Sequence, residues 1–359
     1  MGKPNPPAPF PKREGGDIVQ GLAIDDVDRQ PLDPKGTPFP HGEGARGVRF
    51  LILLTLLLAA CAPRAFERPN GVVYASDRSL YVMDFGNYRI VQVSRQGKLL
   101  KVLGRFGSQA DQIHYGWDLA TDSQGNLYFG NVVRDNEGTS HDGVKVFNRR
   151  GRFLREIGQQ DYSTVSGATP NLPYGVEVDD QDRVYIADYG TNAIRILTSQ
   201  GDLLATLPGK GNETYSFVNP GDTAVDDARG RLYVSDFTLG NILQFAIDWS
   251  EPNRPRITFE KVVGGYGRAP GQFAFPQNLA VDDESGVLYV GDMANRRIQA
   301  INAEGEYLAS YAPPDVEDWQ VLGLSLGPEG YLAAADALNH AVWLFSTEDG
   351  AVTRVEMRR

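Results

Sequence analysis

Short apolar runs separated by Gly, Asn and Asp recur along most of the chain. Examples are "SLYVMDFGNYRIVQV", "NLYFGNVV", "RVYIADYGTNAIRIL", "RLYVSDFTLGNILQF", "VLYVGDMANRRIQAI" and "YLAAADALNHAVWLF". Runs of four to seven residues bounded by such residues read as strands and turns. No stretch keeps a helical apolar period over three turns. The polar residue closing the second run of each copy is Asp84, Asn131, Asp188, Asp236, Asp292 and Asp336, at spacings of 47, 57, 48, 56 and 44. In the fifth copy, strands are expected at 278–282, 287–292, 296–302 and 306–312.

Four strands per copy, six times over, predict an all-β fold, a six-bladed β-propeller of four-stranded antiparallel blades filling residues 71–359. The first copy already has a first strand (Gly71 to Ala75) and the sixth a last one (Ala351 to Met357). The ring is therefore expected to close by packing whole blades, without a swapped strand. The segment "GQFAFPQNLAVDDESGVLYVGDMANRRIQAINAEGEYL" resembles an NHL repeat. The resemblance is weaker in the second copy, with its insertion "VVRDNEGTSHDG", and in the sixth, where "LSLGPEGYLAAAD" lacks the usual Val-Asp. It implies the same six-bladed propeller; YWTD and gluconolactonase-like propellers share the strand rhythm.

The front of the chain has a different pattern. Residues 1–47 are rich in Pro, Gly and charge without apolar periodicity, and are expected to be a disordered leader or a mis-called start. Residues 48–60 follow, with an 11-residue apolar run from Phe50 to Ala60. A spanning helix needs about 20, so the run fits a signal-peptide core preceded by Arg49. Its end, "LAAC", resembles the lipobox of bacterial lipoproteins, which implies lipid on Cys61, a short linker over 61–70, and an exported protein anchored to a bacterial membrane.

Charge and composition narrow the chemistry. Lys and Arg total 35 against 46 Asp and Glu, a net charge of −11, so nucleic acid is not an expected partner. A single Cys excludes an intrachain disulfide or thiolate metal site, and four His leave little imidazole chemistry. The amidating lyases, also NHL-type, use several blade-top histidines for metal. Only His114 stands at a blade top here, with His141 in the insertion and His340 in a turn, a departure that argues against that activity. No nucleophile–base pair, phosphate loop or nucleotide fingerprint is visible.

The Asp/Asn pairs after the second strand, such as Asp84/Asn87 and Asp292/Asn295, are expected to cap turns. So are Asp179/Asp180, Asp226/Asp227 and Asp282/Asp283. In a propeller the first strands line the central channel. Asp118, Asp222 and Asn278 align at its mouth, with Glu177 two residues further in. Oxygen donors of this kind suit a calcium-like cation, and gluconolactonase-like propellers hold such an ion there, although no cofactor is required. The blade-top loops carry Arg105, His114, Tyr115, Trp117, Tyr174, Tyr215, Tyr266, Arg268 and Trp319 as ligand-face candidates; the Phe residues beside them are expected to be blade-to-blade wedges. The leading expectation is a monomeric binding or scaffold module for an envelope protein, peptide or glycan. The alternative is a metal-dependent lactonase-like hydrolase or lyase using the channel.

Overall fold

The computed structural model describes residues 65–358, apart from 108, 133–141, 159–171 and 212. The expected leader, signal segment and Cys61 lie outside the described residues, as does His141. The described residues form six sheets of four antiparallel strands and no α-helix. Within each sheet the strands follow chain order, so no strand is swapped. The fifth blade runs Pro276–Val281, Leu288–Asp292, Arg297–Ile301 and Tyr307–Tyr311, close to expectation.

The innermost strands are Pro69–Tyr74, Tyr115–Thr121, Pro173–Val178, Pro220–Asp226, Pro276–Val281 and Gly323–Gly327. Each packs beside the next, and the sixth beside the first, which closes the ring. The final strand is Val352–Val355, shorter than expected. The tail beyond it adds a latch: Arg358 N–H donates to Gly97 O (2.6 Å), and Leu99 N–H to Arg358 O (2.7 Å).

Apolar residues of the two middle strands in each blade pack against the neighbouring blade, giving six core clusters, one at every blade junction. The junction of blades six and one includes Val72, Leu80, Ala333, Val342 and Met357. Among the described residues, five of the six junctions also take a plug from the loop entering a blade. Phe66, Ile113, Phe217, Phe273 and Trp319 are all 2% exposed or less. The residue after each plug donates its backbone N–H to the buried polar residue of that blade: Glu67 to Asp84, His114 to Asn131, Val218 to Asp236, Ala274 to Asp292 and Gln320 to Asp336. These residues therefore do more than cap turns: in five blades they fasten the entry loop above the inner strand. Most also bind an arginine or Trp Nε1 of the third strand, as Asp84–Arg89 (2.7 Å), Asp188–Arg195 (2.9 Å), Asp292–Arg297 (2.8 Å) and Trp343–Asp336 (3.0 Å).

Candidate functional site: the channel mouth

The inner strands enter the sheet irregularly. A register shift sits near the top of five of them, at Pro69/Gly71, Gly116/Leu119, Asp188 opposite Pro173, Pro220/Thr223 and Pro276/Asn278. Bulges of this kind re-aim side chains. Residues at the shift, among them Trp117, Tyr174 and Gln277, leave the ladder for the mouth. The residue after the buried aspartate comes from the same end of the blade: Phe85, Tyr189 and Phe237.

These two sets join into one arc across blades one to five. Phe85 stacks on Trp117 (centroids 5.9 Å, 25°), and Trp117 on Tyr174 (5.0 Å, 15°). Tyr174 lies 6.0 Å from Phe237, which stacks on Tyr189 (5.6 Å, 4°) and meets Phe275 at 6.5 Å. Tyr115 joins from Phe85 at 6.0 Å. Every ring in this arc is half-buried. Gln277 Nε2 donates to Tyr174 Oη across the width of blade four (3.0 Å).

One level below stand Asp118, Asp222 and Asn278, at 6%, 4% and 4% exposure. Two of them latch neighbouring blades. Asp118 Oδ2 accepts from Val176 N–H (2.9 Å) of blade three, and Asp222 Oδ2 from Leu279 N–H (2.9 Å) of blade five. Asp222 Oδ1 also accepts from Thr223 N–H (2.7 Å). Asn278 repeats the position, but its Oδ1 is buried without a hydrogen-bond partner. Gly175 stands between Asp118 and Asp222 because the latch needs close approach. A Cβ on Gly175 would stand 2.5 Å from Asp222 Oδ1 and 2.7 Å from its Cα. Gly175→Ala should therefore lower stability by about 1–3 kcal/mol, read as a reduced urea midpoint with an unchanged slope.

Glu177, half-buried, lies deeper in the channel. Burial pushes the Asp118 carboxyl up to about 7 against the opposing pull of the Val176 and Leu119 N–H groups. Burial, then the nearby Asp118, raises Asp222 and Glu177 well above the usual carboxylate range. The channel thus holds three carboxyls that resist ionising together. The four expected metal ligands do line the inner strands. Among the described residues, however, no three His, Cys, Asp or Glu side chains converge as a metal cage.

The ligand-face candidates divide. Tyr115, Trp117 and Tyr174 stand at the mouth. His114 is half-buried between Phe106 (4.6 Å) and Tyr115 (4.4 Å), and burial lowers its pKa. Arg105, Tyr266 and Arg268 are exposed on entry loops outside the arc. Two expectations are overturned. Trp319 is the buried plug of blade six, packed on Phe345 and donating Nε1–H to Arg296 O (2.6 Å). Tyr215 lies against Phe245 (5.0 Å) and Phe259 (5.7 Å) of the outer strands, away from the channel. Of the Phe residues expected as wedges, Phe217 and Phe273 are buried at junctions, whereas Phe275 belongs to the arc.

Repeats and geometry together define a six-bladed β-propeller. No protein-family model matches the chain. It is similar to peptidyl-glycine alpha-amidating monooxygenase B of Xenopus laevis, 26% identical over 250 residues, covering 61% of this chain and 26% of the relative. It is also similar to NHL repeat-containing protein 3 of Mus musculus, 29% identical over 188 residues, covering 47% of this chain and 48% of the relative. The chain thus spans from about a quarter to about half of the length of these relatives. Among solved structures, a gluconolactonase from Xanthomonas campestris aligns with a TM-score of 0.56 at 15% identity, over 80% of this chain and 86% of that one. Virginiamycin B lyase from Staphylococcus aureus aligns at 0.53 and 12%, over 81% and 87%. At these identities the two structures bear on the fold alone.

Proposed function

We propose that this protein is a binding module of the bacterial cell envelope, held to the membrane by lipid on Cys61. It presents the aromatic mouth of its propeller to a protein, peptide or glycan. The observation that carries the reading is the arc of stacked, half-buried rings from Phe85 to Phe275, contributed by five blades. Aromatic side chains left partly in water on a rigid frame bring large contact area at little entropic cost. The anchor rests on the lipobox-like "LAAC" after an 11-residue apolar run. An envelope-fraction capture screen with the full chain should return a ligand that the Trp117→Ala/Tyr174→Ala double variant no longer holds. Mass spectrometry of the cellular protein should find an acylated Cys61 at its N-terminus. A ligand retained in full by the double variant would sink the reading of this face.

A channel hydrolase or lyase using a divalent cation is the second reading, favoured by the unpaired Asn278 Oδ1 at the level of two carboxylates. Calcium should then raise the melting temperature, and Asp222→Ala should abolish the rise.

A further inference from the structure

We propose that the channel mouth takes an organic cation, a ligand whose primary ammonium or guanidinium head points to Asp118, Glu177 and Asp222 while its body stacks on Trp117 and Tyr174. This rests on the reading of the aromatic mouth as the ligand surface, and names the chemistry of what it holds.

The first argument is a contrast within the chain. Five buried carboxylates elsewhere are given an arginine: Asp84 has Arg89, Asp179 has Arg183, Asp188 has Arg195, Asp226 has Arg229 and Asp292 has Arg297; Asp122, Asp236 and Asp336 each instead accept three or more N–H or O–H groups. None of the three channel carboxylates makes an ion pair with a described Lys or Arg. Burying unpaired charge is costly, and here the cost is incurred three times at one level and just beneath it.

The second argument is the donor–acceptor balance. The Asp118 and Asp222 oxygens accept backbone N–H groups, and a carboxylate oxygen has a further lone pair beyond the one so used. Asn278 adds an orphan acceptor, Oδ1, in a side chain 4% exposed. Glu177, when ionised, offers acceptors and no donor. The unmet demand is therefore for donors, and an ammonium offers three donors and no acceptor. A bare metal ion meets the same demand less well, because the carboxyls do not converge as a cage and because an ion makes no use of the rings above.

The third argument is the rings themselves. Faces of Trp and Tyr attract cations, most strongly where water is partly excluded. The arc already receives one from its own chain: the Arg68 guanidinium lies 5.9 Å from the Phe85 ring centre. Trp117 adjoins Asp118 in sequence, and Tyr174 precedes Glu177 by three residues on one strand. Rings and carboxyls are thus successive levels of the same inner strands.

Calorimetric titration of the full chain with phenethylamine, its neutral counterpart 2-phenylethanol, and calcium chloride tests the proposal. The amine should bind at least about tenfold more tightly than the alcohol, as a cation–π contact plus one ionic contact implies. Glu177→Gln, which breaks no described hydrogen bond, should erase most of that preference without lowering the urea midpoint. Trp117→Leu should weaken both, and the amine more than the alcohol, because only the amine loses a cation–π contact. Equal binding of amine and alcohol overturns the cationic head yet leaves the aromatic mouth as a ligand face. Heat from calcium alone, with none from the amine, overturns the proposal in favour of a metal site. Silence from both amine and alcohol overturns it too, while the capture screen with the double variant judges the broader reading independently.

Discussion

Trp319→Ala should lower the unfolding free energy by about 3–5 kcal/mol, whereas Arg268→Ala, on a neighbouring entry loop, should stay within about 0.5 kcal/mol of the parent. Both residues look alike in sequence, as large side chains on blade-top loops. Trp319 is 1% exposed and packs with Val321, Ala334 and Phe345 at the junction of blades five and six. Its truncation removes the largest fully buried side chain of the described residues and leaves a cavity that the rigid sheets on either side cannot close. It also leaves Arg296 O without the indole N–H. Arg268 is exposed and buries nothing comparable. Urea denaturation of the two variants separates them: a loss below about 1 kcal/mol for Trp319→Ala would mean that the junction is not plugged as described.

The fold was legible because each blade repeats the same solution to the same problem. A four-stranded sheet with apolar middle strands must bury both faces, and the period of the pattern gives the number of sheets. The channel residues were legible for the same reason, since aligning the first strands puts Asp118, Asp222 and Asn278 at one level. What alignment of strands could not show is how loops descend. Trp319 stands 17 residues before Asp336, and Phe66, Ile113, Phe217 and Phe273 stand 18 or 19 before the matching residue of their blades. That offset was present in the sequence and identifies a plug, but only once the aspartate is known to fasten the entry loop from below. Phe85, Tyr189 and Phe237 were missed although each directly follows such an aspartate. Their neighbours read as turn formers, and nothing local says that a ring placed after the turn will lean over the channel. Tyr215 was misplaced because blade four has long outer strands, whose Phe245 and Phe259 capture it.

Stability should fall as pH rises from about 4 to about 7, by a few kcal/mol in total. In the unfolded chain Asp118 titrates near its usual 3.8, but in the folded one near 7. Between those values the native state holds a proton that the unfolded state has released, so each step toward neutrality favours unfolding. Asp222 and Glu177 are raised by burial and by Asp118, and act in the same direction. Asp227, pushed up to about 7 by burial, and Asp283, also raised, add to the slope from the turns below. His114 opposes it, since burial lowers its pKa and the unfolded state gains the proton first. One imidazole of that kind is outweighed by three carboxyls in the channel. Urea midpoints measured from about pH 5 to about pH 8 should therefore decline. The double variant Asp118→Asn/Asp222→Asn should decline much less, because each amide oxygen can still accept the latch from Val176 or Leu279 without carrying charge. A parent profile that is flat or rising over this range would mean that the channel carboxyls are solvated or neutralised by some group of the chain. The penalty at neutral pH would then be gone, and with it the reason the channel has to accept a cation from outside.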